Sequence, residues 1–391
     1  MASVAASDLL AREDYRVAKP VVSFGEARDL IDRFGGPLVV FSPAVLRRNF
    51  ETLTRCLPGV EFFYAIKANP DQIVLRTLQE AGCSADVCTA RELRWAKEAG
   101  FTTDRMIHTH PCKRPADIDE CYAGGVRWFT FDSPFELPKL AAGAPDANLL
   151  LRLAAPGSSS IIDLSSKFGA SPLDAADLIL QARSHGLRVG GLSFHVGSQC
   201  TAPEDFIPAL QAARTVWDEA ERLGCPLEVL DIGGGFPAPY RGAVLTLESY
   251  CGMLNAALED IFGDVQARVI AEPGRGLVAE SATLISTVVG KSMRNGTPWY
   301  FLDDGIYGSF SGKAFDHADF PLLVENAHRR DVTPCVVAGP TCDSGDVISR
   351  DQLLPELEVG EIVLVPTMGA YSTASATDFN GLERAQTLSL E

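Results

Sequence analysis

The chain has 391 residues, 46% of them hydrophobic, with 20 Phe, 8 Tyr and 4 Trp, which suits two globular domains and excludes a disordered chain. Its formal net charge of -17 argues against partners that present phosphate backbones or anionic lipid, so neither nucleic acid nor membrane is expected. Charged residues (Asp8, Arg12, Glu13, Asp14, Arg16) occupy the first twenty positions and no long apolar run follows, so the expectation is a soluble, cytoplasmic protein.

In chain order, the apolar run Pro37–Phe41 predicts a first strand. Eight further runs, rich in β-branched and aromatic residues, follow at Glu61–Lys67, Cys83–Cys88, Met106–His110, Arg127–Asp132, Asn148–Leu153, Gly190–Val196, Leu227–Ile232 and Arg268–Glu272. Between them lie helical patterns such as Ala90–Ala99 and Pro203–Leu223. Eight strand and helix pairs are the arithmetic of an α/β (β/α)8 TIM-type barrel, and a closed barrel of eight has no room for the strand at Pro37–Phe41. Past Arg275 come strands without regular helices (Thr283–Val289, Trp299–Leu302, Thr333–Val337, Glu361–Pro366), which predict a β-sandwich or barrel-like β-domain. The expected division is a barrel over 43–281 and a β-domain built from 1–42 and 282–391.

Ten cysteines in a large chain without a secretory pattern read as reduced residues, and no CxxC pair occurs. His108, His110 and Cys112 cluster without a fourth ligand, so no metal is expected.

In barrels of this class the working residues stand at the C-terminal strand ends. Here those ends carry Lys67, Asp86, His108 with His110, Asp132, Arg152, His195 with Ser198, Asp231-Ile232-Gly233-Gly234-Gly235 and Glu272-Pro273-Gly274-Arg275. Lys67 closes an apolar strand, so it either snorkels to solvent or, desolvated, serves as a neutral amine that condenses with an aldehyde cofactor. The glycine run is a plain turn or a backbone cradle for a phosphate, with Arg275 supplying charge. Glu272 is an ion-pair partner of Arg275 or the carboxylate that keeps a pyridine nitrogen protonated. His195 is a hydrogen-bonded core histidine or the cover of an aromatic ring.

The segments Phe63-Tyr64-Ala65-Ile66-Lys67-Ala68-Asn69, Ser193-Phe194-His195-Val196-Gly197-Ser198, Asp231-Ile232-Gly233-Gly234-Gly235-Phe236-Pro237 and Glu272-Pro273-Gly274-Arg275 resemble the fold-type III pyridoxal 5'-phosphate (PLP) decarboxylases. Asp304-Gly305-Ile306-Tyr307-Gly308-Ser309-Phe310, Phe315-Asp316-His317, Gly339-Pro340-Thr341-Cys342-Asp343 and Gly369-Ala370-Tyr371 are similar to the ornithine decarboxylase branch, and the matches span roughly residues 60 to 385.

The resemblance implies that Lys67 carries the cofactor, His195 stacks on its ring and Glu272 pairs with its pyridine nitrogen. It places Ser198, Gly234, Gly235, Arg275 and Tyr371 at the phosphate, and Asp86 and Arg152 beside the ring and imine. Asp316 and Asp343, with Phe315 and Phe379, line the substrate side, and Cys342 returns a proton to the decarboxylated carbon. It implies decarboxylation of L-ornithine to putrescine in polyamine biosynthesis, by a homodimer in which Cys342 and Asp343 cross to the other subunit's barrel while Tyr371 stays with its own. Two acidic residues favour a cationic side chain and disfavour diaminopimelate. Lysine or another cationic amino acid remains an alternative, since one methylene changes binding by only about 1–3 kcal/mol. A racemase is disfavoured by an acid at the pyridine position, and a silent partner-binding homologue is the alternative outside enzymes. Ala68 and Phe315 depart from the Cys and Tyr that many eukaryotic members carry.

Overall fold

The computed structural model describes residues 13–155, 160–161 and 164–390. The chain divides into two compact units, one of Arg47–Pro237 with Leu245–Leu277, the other of the residues up to Leu46 with Ala238–Val244 and everything from Val278 on. Residues 1–12 and 391, assigned from sequence to the β-domain, lie outside the described residues. Ala238–Val244 falls within the span read as barrel yet groups with the β unit, where Pro239 O accepts from Thr367 Oγ1 at 3.1 Å and Arg241 bonds Gln352 at 2.9 Å.

The first unit is a closed barrel of eight parallel strands: Val60–Ala65, Ser84–Val87, Met106–His108, Trp128–Phe131, Asn148–Leu153, Arg188–Phe194, Val229–Asp231 and Arg268–Ala271. Closure is made by the last strand against the first, with Val269 opposite Val60 and Ala271 opposite Phe62. Phe63, Ile107, Leu150, Val229 and Ile270 form one packed cluster drawn from the first, third, fifth, seventh and eighth strands. Layering of this kind fills a barrel, so chemistry is confined to its ends.

Helices start where side chains supply the missing acceptors. Thr89 caps Ala90–Glu98 by accepting from Glu92 N, Asp71 caps Gln72–Glu80 through Ile73 N, and Thr246 caps Leu247–Phe262 through Ser249 N. The pattern read as a helix from Pro203 begins instead with a 3-10 turn, Pro203–Asp205, and turns α-helical at Phe206–Arg222.

In the β unit the 13-residue strand Ala282–Arg294 is the spine. Its first half lies between Leu38–Phe41 and Ile362–Pro366, both antiparallel to it; past a bulge between Val288 and Gly290 its second half pairs with Thr297–Leu302. Val332–Ala338 and Val347–Pro355 extend the sheet, and Gln386–Ser389 runs parallel to Leu38–Phe41. The strand at Leu38–Phe41 therefore belongs with the β-strands, as its exclusion from a closed barrel requires. Val22, Ala27, Leu38, Val40, Ile285, Ile362 and Leu364 make the core of this unit, over which helix Phe24–Phe34 is fixed by a capping box between Ser23 and Glu26. All ten cysteines are free. Among the described residues no helix is long and apolar enough to cross a membrane.

Candidate active site

Lys67, Asp86, Arg152, His195, Asp231 and Glu272 stand on or just past barrel strands, toward their C-terminal ends. Lys67 stands just past its strand, in the 3-10 turn Ile66–Ala68. Its Nζ lies 3.0 Å from Asp86 Oδ2 and 3.9 Å from Cys88 Sγ. Of the two readings open for Lys67, the structure leaves 40% of its side chain exposed and pairs its ammonium with Asp86. Asp86 itself is fully buried and its Oδ1 accepts from Thr109 Oγ1 at 2.5 Å, so the carboxylate is fixed from two sides.

His195 follows the sixth strand. Its Nδ1 accepts the Gly197 N–H at 3.0 Å, which puts the ring proton on Nε2. Burial, reinforced by the charges of Arg152 and Lys67, holds its pKa well below the usual histidine range, so the ring is neutral. A neutral imidazole is suited to lie against an aromatic ring without adding charge. Arg152, on the fifth strand, lies over the Phe168 ring at 5.5 Å.

The glycine run lies against His195 and Glu272. Gly233 has φ +67, and a Cβ there would come 2.2 Å from Phe194 O; one on Gly234 would come 2.7 Å from Glu272 O and 3.0 Å from His195 Nε2. Only glycine fits. Among the described residues the N–H groups of Gly234 and Gly235 donate to no protein acceptor. Nearby, Arg275 is nearly buried and donates through Nη2 to Ser198 Oγ at 3.0 Å. Glycine N–H groups, a hydroxyl and a guanidinium form a donor set that fits a phosphate ester.

Glu272 is buried at the end of the eighth strand. Burial and the Asp86 charge raise its pKa, whereas Asp231, Lys67 and Arg152 act to lower it. Taken together, an amine for an aldehyde, a neutral ring, a buried carboxyl and a phosphate cradle fit PLP.

Sequence reasoning missed Glu92. It accepts from Cys88 N at 2.5 Å, is almost wholly buried, and has its pKa raised to about 7 by that burial. The Thr89-x-x-Glu92 spacing at a helix start was the signal that could have found it. The histidine pair serves packing and loop geometry: His108 is fully buried against Phe129, with burial lowering its pKa to about 3, and His110 Nδ1 accepts from Cys112 N at 3.1 Å.

The β unit gathers a second set. Asp343 Oδ2 accepts from Tyr307 OH at 2.5 Å and its Oδ1 from Gly345 N at 3.0 Å; the Gly345 bond, then the Tyr307 bond, lower its pKa and keep it ionised. Tyr307 stacks on Phe379 with centroids 4.2 Å apart, and Cys342 N donates to Asn380 Oδ1 at 2.9 Å. Cys342, Asp343 and Phe379 thus come together, with Tyr307 and Asn380 as partners that carried no expected role. Buried Asp346 ties the loops: it accepts from Ile306 N at 2.8 Å and from Thr341 Oγ1 at 2.8 Å, and the lack of side chains on Gly305 and Gly339 makes room for it. Phe315 and Asp316 lie on a different turn, at the end of the short helix Gly312–Phe315, with Phe315 exposed. Tyr371 adopts φ +52, rare for a bulky residue, after Thr367 at φ +64. Such strain concentrates where a side chain must be presented.

Comparison with known proteins agrees with this chemistry. Residues 44–279 match the family described as pyridoxal-dependent decarboxylase, pyridoxal binding domain. The chain is 38% identical to a lysine/ornithine decarboxylase of Selenomonas ruminantium, over 94% of this chain and 92% of that one. It is 36% identical to the ornithine decarboxylase of Mus musculus, over 87% and 77%. The crystal structure of the lysine/ornithine decarboxylase of Vibrio vulnificus complexed with putrescine superposes with a TM-score of 0.87 at 41% identity, covering 95% of this chain and 99% of that one.

Proposed function

Because the chain belongs to the pyridoxal-dependent decarboxylases, we propose that it converts L-ornithine to putrescine and carbon dioxide, the diamine step of polyamine biosynthesis. The observation that carries the choice of a cationic substrate is Asp343, held ionised by Tyr307 and Gly345 one residue from the Cys342 thiol. A carboxylate fixed beside a proton donor has use for a substrate that is positive at its far end.

The roles follow from the chemistry of each group. Lys67 anchors the cofactor aldehyde, with Asp86 and Arg152 lining that side. Gly234, Gly235, Ser198, Arg275 and Tyr371 hold the phosphate. Neutral His195 would lie against the cofactor ring, and an ionised Glu272 would keep its pyridine nitrogen protonated. When bound, PLP supplies the electron sink that stabilises the carbanion left as carbon dioxide departs. Asp316 and Asp343 pair with the distal ammonium, Phe315 and Phe379 wall the methylene chain, and Cys342 delivers a proton to the substrate Cα. Relatives described as lysine/ornithine decarboxylases support lysine as the second substrate. Mass spectrometry of the products from L-ornithine tests the assignment: putrescine is expected, and unchanged ornithine beside rapid turnover of another amino acid would overturn it.

We further propose a homodimer with shared sites, since Lys67, His195, Glu272 and the phosphate donors Ser198, Gly234, Gly235 and Arg275 lie on the barrel unit and Cys342 with Asp343 on the other. A two-fold pair makes two equivalent sites from such parts. Mixing inactive Lys67→Ala with inactive Cys342→Ala should restore activity up to about a quarter of wild type, the share expected if random subunit exchange rebuilds one site in each mixed dimer. No recovery, with exchange demonstrated by mass, would contradict it.

A further inference from the structure

Asp231 closes the seventh barrel strand and is fully buried. Its Oδ1 accepts the Gly233 N–H at 2.9 Å, while its Oδ2 is buried and faces no donor. The side chain beside it is Glu272, another carboxyl, and the backbones of the two are tied by Glu272 N donating to Gly233 O at 2.8 Å. A buried carboxyl oxygen without a donor, neighbouring a second carboxyl, is satisfied when one of the two carries a proton, and two neighbouring buried carboxyls do not both ionise.

From this geometry we infer that Asp231 is a positioning residue, protonated at neutral pH, whose carboxylic O–H donates to Glu272 and keeps Glu272 ionised. The charges around the pair decide which partner holds the proton. Lys67 and Arg152 face Glu272 and favour its anion; Asp231 is buried deeper, has only the Gly233 N–H in its favour, and meets the negative charges of Glu272 and Asp86. His195 is neutral and takes no side. Burial and Glu272 push the Asp231 pKa well above the usual range, in the same direction. Thus the barrel presents one negative charge at the end of its eighth strand, oriented by a neutral donor on its seventh. The inference rests on the reading of Glu272 as the partner of the pyridine nitrogen.

Infrared difference spectra on the whole protein test where the proton sits without recourse to turnover. The wild type should show the carbonyl stretch of a buried carboxylic acid near neutral pH, shifted in heavy water and absent from Asp231→Asn; its absence from the wild type would overturn the inference. Kinetics supply a second, signed test. Asp231→Ala removes the donor, so turnover should fall roughly 10- to 100-fold and the acid limb of the pH profile should move to higher pH. Asp231→Asn, which keeps an N–H donor, should recover most of that loss and return the limb to its place. If Asp231 were ionised, its removal would move the limb to lower pH and Asn would not rescue, and either result defeats the inference. Glu272→Gln separates the two readings: unchanged turnover in that variant overturns the role of Glu272, while the infrared band alone decides the proton's place.

Discussion

Lys67→Ala is expected to abolish the visible absorbance of bound cofactor and to lower turnover by on the order of 10³-fold or more, the largest effect of any single substitution in this chain. The reason is local. Lys67 is the amine that the first barrel strand delivers to the mouth, and Asp86 holds it from a fully buried position, so no other lysine takes over its place. Lys113 is the nearest rival in burial, yet its ammonium is consumed by the carbonyls of His110, Pro111 and Thr130 and by Glu136 at 3.3 Å. Added PLP should leave Lys67→Ala inactive. Reduction with borohydride followed by peptide mapping should find the pyridoxyl group on Lys67 in the wild type, and a label on Lys113, Lys167 or Lys313 would refute the assignment.

For Asp343→Ala the expected result is a rise in KM for ornithine of roughly 100-fold, with a smaller change in kcat. The loss falls mainly on binding, because the substrate ammonium is left without its counter-charge. Tyr307 shares in this, because its hydroxyl holds Asp343 Oδ2 and its ring is braced on Phe379. If Asp343→Ala keeps wild-type KM for ornithine, the cation-selecting role of this loop fails.

Much of the barrel was legible because parallel strands buried on both faces read as unbroken apolar runs, as Phe62-Phe63-Tyr64-Ala65 does. Lys67, His195, the glycines and Glu272 were legible as polar residues ending such runs. Val347–Pro355 was not read as a strand: it lies at the sheet edge, where Arg350 and Asp351 face water and break the pattern. Equally hidden was the state of Lys67, since its ion pair depends on a turn after the strand that periodicity does not encode. Asp231 was visible only as a strand end, because the depth of its burial and the side chain it meets are properties of the closed barrel. The β unit's loops were harder still: Asp346 serves Cys342 and Asp343 by filling space that Gly305 and Gly339 leave open, a relation between three distant positions.

The central claim, a decarboxylase for a cationic amino acid with ornithine preferred, is tested most directly by carbon dioxide release measured in parallel from L-ornithine, L-lysine, L-arginine and meso-diaminopimelate on PLP-loaded protein. The highest kcat/KM is expected for ornithine, with lysine lower by no more than about 200-fold, the range one methylene supports, and no release from diaminopimelate, whose distal carboxylate would meet Asp343. Fastest release from diaminopimelate, or none from any of the four, would contradict it.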